Sequence, residues 1–257
     1  LSLTEDCFTG FLESVPQRLG FRTAGLGEVP LEEALGMIAE AGYTMVEFCM
    51  EHRDSSSYGG SLSGLGLSSV SYHGKKDTPD VRERMIHSAV GKACELGAGV
   101  LVLGSPLSAL CSRESFFEEC SRVMKMLPSG MRPAWEPEPG TVLKDLAVFG
   151  ELADHLGSEA GLNLDFGHAF LDGSSPSGAV QAYGDRILHT HIEDIACGVH
   201  RHLLPGHGEF PWKAMLKALA GIRYSGPLVV DLFELPVAPL TYVKASYSGV
   251  LRELGVT

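Results

Sequence analysis

The sequence predicts an α/β fold of the (β/α)8 type, a TIM barrel, formed as one domain over residues 1–257. Three observations carry this. Strand-like and helix-like segments alternate along the chain, and acids and histidines recur where the strand-like segments end. The length of 257 residues also suits a fold that typically takes about 250 residues as one unit. A hydrophobic fraction of 44% and a mean hydropathy of +0.09 supply a real core and exclude a mainly disordered chain.

Gly20–Leu26 (GFRTAGL) reads as a short strand followed by a turn. Pro30 opens the helical run PLEEALGMIAEAG: proline suits a first turn, Glu32 and Glu33 sit near the positive helix end, and Gly42 stops it. Tyr43–Cys49 is β-branched and aromatic, hence strand, and the Ser- and Gly-rich stretch Asp54–Gly66 is loop. Val70–His73 ends a third strand, and Asp80–Leu96 is a helix closed by Gly97. Gly99–Gly104 (GVLVLG) is the continuous apolar run expected of a parallel strand covered on both faces. Ser112–Leu127 is a helix ended by Pro128, Met131–Glu136 a strand, and Val142–Leu156 a helix stopped by Gly157. Strand Gly161–Asp165, helix Ser177–Tyr183, strand Ile187–Ile192 and helix Pro211–Leu219 follow. Strand Pro227–Leu232 and helix Leu240–Leu254 complete eight strands and seven named helical segments, read as the alternation of eight strands with eight helical segments. Right-handed crossovers close such repeats into a barrel. The rival, an open doubly wound sheet, usually carries a Gly-rich phosphate fingerprint after its first strand, and GFRTAGLGEVP lacks one.

Twenty basic against 32 acidic residues give a net charge of −12, which repels phosphate backbones, so nucleic acid is not the expected partner. Six cysteines without a CxxC pair read as reduced thiols. The start LSLTEDCFTG lacks the basic and apolar regions of a signal peptide, and no apolar run reaches the roughly 18 residues of a membrane helix. A cytoplasmic protein without a membrane partner is expected; the sequence is compatible with a homo-oligomer.

The polar residues fall at strand C-termini, the face where such barrels keep their sites. Glu47 lies in the second strand, His73 ends the third, Glu136 the fifth and Asp165 the sixth, with His168 just beyond. His189 and His191 lie in the seventh, followed by Glu193 and Asp194, and Asp231 is near the end of the eighth. A carboxylate buried there costs several kcal/mol unless paired or metal-bound. Several converging on one mouth call for one divalent ion: Mn²⁺, Co²⁺, Zn²⁺ or Mg²⁺. Plainer readings stand beside this. Glu136 could shape a turn in AWEPEPG, Asp165 could cap the turn at Gly167, and Glu47 could be a structural acid. Asp231 competes with Glu234, Lys75 and Lys76 read as solvated loop, and only one of His189 and His191 is expected to face the barrel axis.

The runs LDFGHAF, ILHTHIED, LPGHGEFPW and GPLVVDLFE, and the order of elements around them, resemble the xylose-isomerase-like barrel superfamily. That superfamily includes sugar isomerases and epimerases, inosose-metabolising enzymes and the endonuclease that cuts at apurinic sites. The resemblance covers nearly the whole chain. It implies metal ligation by Glu136, Asp165 and His191, and by Asp231 where the family usually has Glu. It also likens Gly206-His207-Gly208 to the family's Gly-x-Gly turn, and His200-Arg201-His202 to a string that holds an additional metal in the endonuclease branch. The strand-four histidine of that branch is replaced by Gly104.

By this resemblance the expected activity is a sugar isomerase or ketose epimerase working through an enediolate on a small sugar substrate or keto-inositol. Glu136 and Asp231 would transfer the proton, and His168, Glu47, His73 and His202 would contact or orient substrate. Trp135, with Phe210 or Trp212, would offer an apolar wall. Two alternatives are a metal-dependent phosphodiesterase in which His73, His200 and His202 complete a multi-metal cluster, and a barrel that binds a ligand without catalysis.

Overall fold

The computed structural model describes residues 4–233 and 238–256. Eight parallel strands close into a barrel in the order β1-β10-β7-β6-β5-β4-β3-β2. They are β1 (Leu19–Arg22), β2 (Met45–Cys49), β3 (Gly66–Tyr72), β4 (Val100–Leu103), β5 (Arg132–Trp135), β6 (Gly161–Asp165), β7 (Ile187–Ile192) and β10 (Leu228–Val230). A two-stranded antiparallel hairpin, β8 (Asp194–Ala196) with β9 (Val199–Leu203), projects after β7. The helices are α1 (Glu5–Ser14), α2 (Leu31–Ala41), α3 (Pro79–Leu96), α4 (Arg113–Met126), α5 (Leu146–Leu156), α6 (Phe166–Leu171), α7 (Pro176–Tyr183), α8 (Trp212–Gly221) and α9 (Pro239–Leu254). None of them is long and apolar enough to cross a membrane.

Local chemistry sets the boundaries. Pro30 precedes α2 and Gly42 ends it in the left-handed region at φ +105°, which a Cβ would strain. Asp145 caps α5 by accepting from the Val148 amide at 2.8 Å. The main core lies between barrel and helices. Strand residues one apart alternate between that layer and the barrel interior: Leu162 and Leu164 of β6 join the apolar core, whereas Asn163 makes its bonds inside.

Three expectations are corrected. The strand foreseen over Gly20–Leu26 stops at Arg22, and Thr23–Leu26 turns into a short 3-10 helix. Between β2 and β3 there is no α-helix, only a 3-10 turn at Ser55–Ser57, so the alternation with eight helical segments fails at that link. Helices α1 and α6 and the β8–β9 hairpin add elements beyond the foreseen pattern.

Candidate metal and proton-transfer site

The C-terminal ends of the barrel strands carry a buried network of acids, imidazoles and one guanidinium. Its centre is His191 of β7. Its Nε2 lies 2.8 Å from Glu47 Oε2, and its Nδ1 lies 2.9 Å from Glu136 Oε2 and 3.8 Å from both Asp165 Oδ2 and Asp231 Oδ2. Burial alone pushes this imidazole down, but Glu47 and Glu136 outweigh it and hold it well above its ordinary pKa. Burial pushes Glu136 up, and the charge of His191, with hydrogen bonds from His191 and His73, more than reverses that, so Glu136 is held well below the carboxylate range. Its Oε2 also accepts from Asn163 Nδ2 at 2.6 Å.

Asp165 serves two purposes. Its Oδ1 caps α6 by accepting from the His168 amide at 2.7 Å, which is the plainer reading of this residue, while buried Oδ2 has no N–H or hydroxyl donor and the side chain's other hydrogen bond is with the Glu193 carboxyl. Burial, and then the charge of Glu136, push its pKa up to about 8. Glu193 beside it is raised well above its usual value by burial, by the charge of Asp165 and by the hydrogen bond the two carboxyls share, and no N–H or hydroxyl donor reaches either of its oxygens. Gly167 packs so closely on Glu193 that a Cβ there would collide with its carboxylate.

The opposite side is arranged differently. Arg22, at the end of β1, is 4% exposed. Its Nε meets Glu47 Oε1 at 2.9 Å, and its Nη1 reaches both oxygens of Asp231 at 3.2 and 3.1 Å. Its Nη2 reaches His73 Nδ1 at 2.6 Å. A guanidinium only donates, so His73 Nδ1 must accept, and the ring's proton sits on Nε2, which donates to Glu136 Oε2 at 3.0 Å. Burial raises the Glu47 and Asp231 carboxyls, but His191 and Arg22 among their neighbours outweigh it and hold both below the usual range.

A second cluster lies at the rim. His168 Nδ1 donates to the Pro137 carbonyl at 3.0 Å, and His202 Nδ1 to the Asp231 carbonyl at 2.9 Å. Both therefore direct an Nε2 lone pair at His200 Nε2, at 2.9 and 3.3 Å. Burial pushes His202 down to about 4 and His168 well below its ordinary value. Among the described residues four trios have donor atoms within 4.8 Å of one another: Glu136, Asp165 and His191; Glu47, His189 and His191; Asp165, Glu193 and His202; and His168, His200 and His202. The first group fits a divalent ion on its own chemistry, for it combines hard oxygens and one imidazole with an orphaned carboxylate oxygen.

The structure thus gathers Glu47, His73, Glu136, Asp165, His168, His191, His202 and Asp231 at one mouth, although Asp231 is not in the first ligand group. Glu234, its rival on the sequence, lies outside the described residues. Trp135 is corrected: it is 1% exposed in the apolar core, because it neighbours Glu136 on the strand and faces the other way. Phe210 and Trp212 are equally buried, Phe210 against Phe166 and Phe170, and Trp212 with its Nε1 on Asp194 at 3.1 Å. They form no substrate wall. The division of His189 from His191 is also corrected, since residues two apart on a strand share a face. Both rings point inward, and His189 Nδ1 donates to Asn163 Oδ1 at 2.9 Å. Lys75 is paired with buried Glu138 at 2.5 Å rather than merely solvated. Sequence reasoning missed Arg22, Asn163 and Glu138. The first two were visible as polar residues inside the strand-like strings GFR and GLNLD.

A sequence profile described as the xylose isomerase-like TIM barrel matches residues 35–253. The chain belongs to this family. Among curated relatives of this xylose isomerase-like barrel, the rhizopine catabolism protein MocC of Rhizobium meliloti is 26% identical over 88% of the chain and 82% of its own length. The IolI protein, solved with a binding zinc atom, shares the fold at TM-score 0.75 and 19% identity, covering 93% of this chain and 98% of that one. The 3-keto-D-glucoside 4-epimerase YcjR of E. coli does so at TM-score 0.71 and 16% identity, covering 92% and 99%.

Proposed function

We propose that the chain acts as a single-domain, metal-dependent sugar isomerase or ketose epimerase, moving a proton through an enediolate on a small polyol-type sugar or keto-inositol. The observation that carries this reading is the group Glu136, Asp165 and His191, whose donor atoms lie together and include a buried carboxylate oxygen, Asp165 Oδ2, that no N–H or hydroxyl donor satisfies. The zinc of IolI and the epimerase activity of YcjR support it by likeness. Those three residues would hold the ion, with Asp231 facing the same space. A divalent ion there would supply a Lewis acid that polarises a substrate carbonyl and stabilises charge developing on its oxygen.

The protein's own groups handle the proton. Glu136 is kept ionised and is fixed by His73 and Asn163, so it can take a proton from the carbon beside a carbonyl. Asp231 is ionised as well and can return it from another side. With Nδ1 committed to the Pro137 carbonyl, His168 offers a substrate hydroxyl only an acceptor nitrogen. Glu47 and His73 act by orienting His191 and Glu136.

Deuterium wash-in from heavy water, screened over ketoses, inososes and hydroxypyruvate with Mn²⁺, tests the reading. Exchange at a carbon alpha to a carbonyl is expected, and Glu136→Gln should lower it by at least about 10³-fold. Retained exchange in that variant would refute its role as base. The phosphodiesterase alternative draws on the trio His168, His200 and His202, which suits a further ion. Against it stand the net charge of −12 and Gly104 on β4, where the resemblance to that branch calls for a histidine. Elemental analysis separates the two: one ion per chain favours the isomerase, and more than one the phosphodiesterase. Absence of both tight metal and exchange would point to the non-catalytic binding barrel.

A further inference from the structure

We propose that Arg22 keeps Asp231 out of the metal shell, leaving a centre of Glu136, Asp165 and His191 and reserving Asp231 as a free proton-transferring carboxylate. The inference rests on the metal-dependent reading above. It begins with register. Phe21 of β1 is level with Val230 of β10, and Arg22 is level with Glu47 of β2. One residue on, Arg22 therefore lies between Asp231 and Glu47 on adjacent strands, a cation flanked by two acids in one layer of the barrel. His191 is level with Val229, so Asp231 sits two residues nearer the mouth than the imidazole.

Nη1 donates to both oxygens of Asp231 and Nη2 to His73, while Nε lies 2.9 Å from Glu47 Oε1 as an ion pair without hydrogen-bond geometry. Arg22 cannot shed its proton, so this charge is permanent. Asp231 Oδ2 comes within 3.8 Å of His191 Nδ1, yet Asp231 does not join the three residues whose donors cluster within 4.8 Å. A short shift would bring it in, and the Arg22 contact opposes that shift. Asp165 has no arginine on Oδ2, the oxygen that faces His191; its polar neighbour there is the Glu193 carboxyl, which is neutral when protonated. Aspartate is also one methylene shorter than glutamate, so a carboxylate held on Arg22 has less freedom to turn towards the Glu136, Asp165 and His191 donors. Arg22 is in this sense a positioning residue: it acts through Asp231 and His73 and touches no reacting atom.

The test is isothermal titration of the full chain with Mn²⁺, together with the visible absorption of bound Co²⁺. Asp231→Asn should bind Mn²⁺ within about 3-fold of wild type and keep the Co²⁺ spectrum, whereas Asp165→Asn should lose more than about 100-fold. Arg22→Gln, which frees Asp231, should alter the Co²⁺ spectrum, and Arg22→Lys, which keeps the charge, should preserve it. Comparable losses in Asp231→Asn and Asp165→Asn, or an unchanged spectrum in Arg22→Gln, would overturn the proposal. Should Arg22→Gln not fold, the two aspartate variants decide alone. A wild-type chain that binds neither ion, or Asp165→Asn that binds as wild type does, would instead sink the metal-dependent reading itself.

Discussion

The two halves of the barrel mouth treat buried carboxylates in opposite ways. On the β10-β1-β2 side, Asp231 and Glu47 flank Arg22 and stay ionised. On the β5-β6-β7 side Glu136 is kept ionised by His191, but Asp165 and Glu193 crowd together with no arginine or lysine between them, and both hold their protons more tightly than usual. The same side chain is a settled structural partner in one half and an unmet demand for positive charge in the other. Burial alone therefore does not identify a metal ligand; the missing countercharge does.

That contrast breaks most readily at Arg22. Arg22→Leu strands Glu47 and Asp231 without a cation and should cost about 3–5 kcal/mol of folding stability, measured by urea unfolding. The other half should respond to an ion rather than to a mutation. Mn²⁺ at about 100 times its Kd should stabilise the wild type by about 2.7 kcal/mol, and this gain should vanish in Asp165→Asn. Without metal, Asp165→Asn should itself be stabilising by about 1 kcal/mol at pH 8, since it removes one of two competing carboxyls and keeps an oxygen for the α6 cap. A destabilised variant would show that the two halves are not different after all.

The smallest effect is in the pH profile of the metal-free protein. Asp165 has a raised folded pKa of about 8, so its stabilising proton is fully present below the unfolded value and lost as pH rises towards 8. His189 and His202 are depressed to about 4, so they favour the folded state above the unfolded histidine value and cease to do so as pH falls from there to 4. These groups place maximum stability near pH 6.5, with a fall on either side in thermal melts. Saturating Mn²⁺ should flatten the alkaline fall and leave the acid one.

Much of this was legible in the chain. The strands β4, β6 and β7 follow from apolar or β-branched runs bounded by glycine or turn residues, and Glu136, Asp165, His191 and Asp231 from their places at strand ends. The less legible parts depended on partners far away in sequence. Arg22 meets Asp231 across 209 positions, and nothing near either residue announces the other. Trp135 was misplaced by counting an aromatic beside Glu136 as lining the same space, when alternation along the strand sends it into the core. The α6 helix is only six residues long and begins on Asp165 itself, so its periodicity is too brief to register.

Gly104 carries one last consequence. A Cβ at that position would come within 2.6 Å of the His73 ring, so no side chain fits while His73 stays where Arg22 and Glu136 hold it. A new ligand on β4 cannot be acquired in a single step, because the first mutation would dislodge the histidine it was meant to assist.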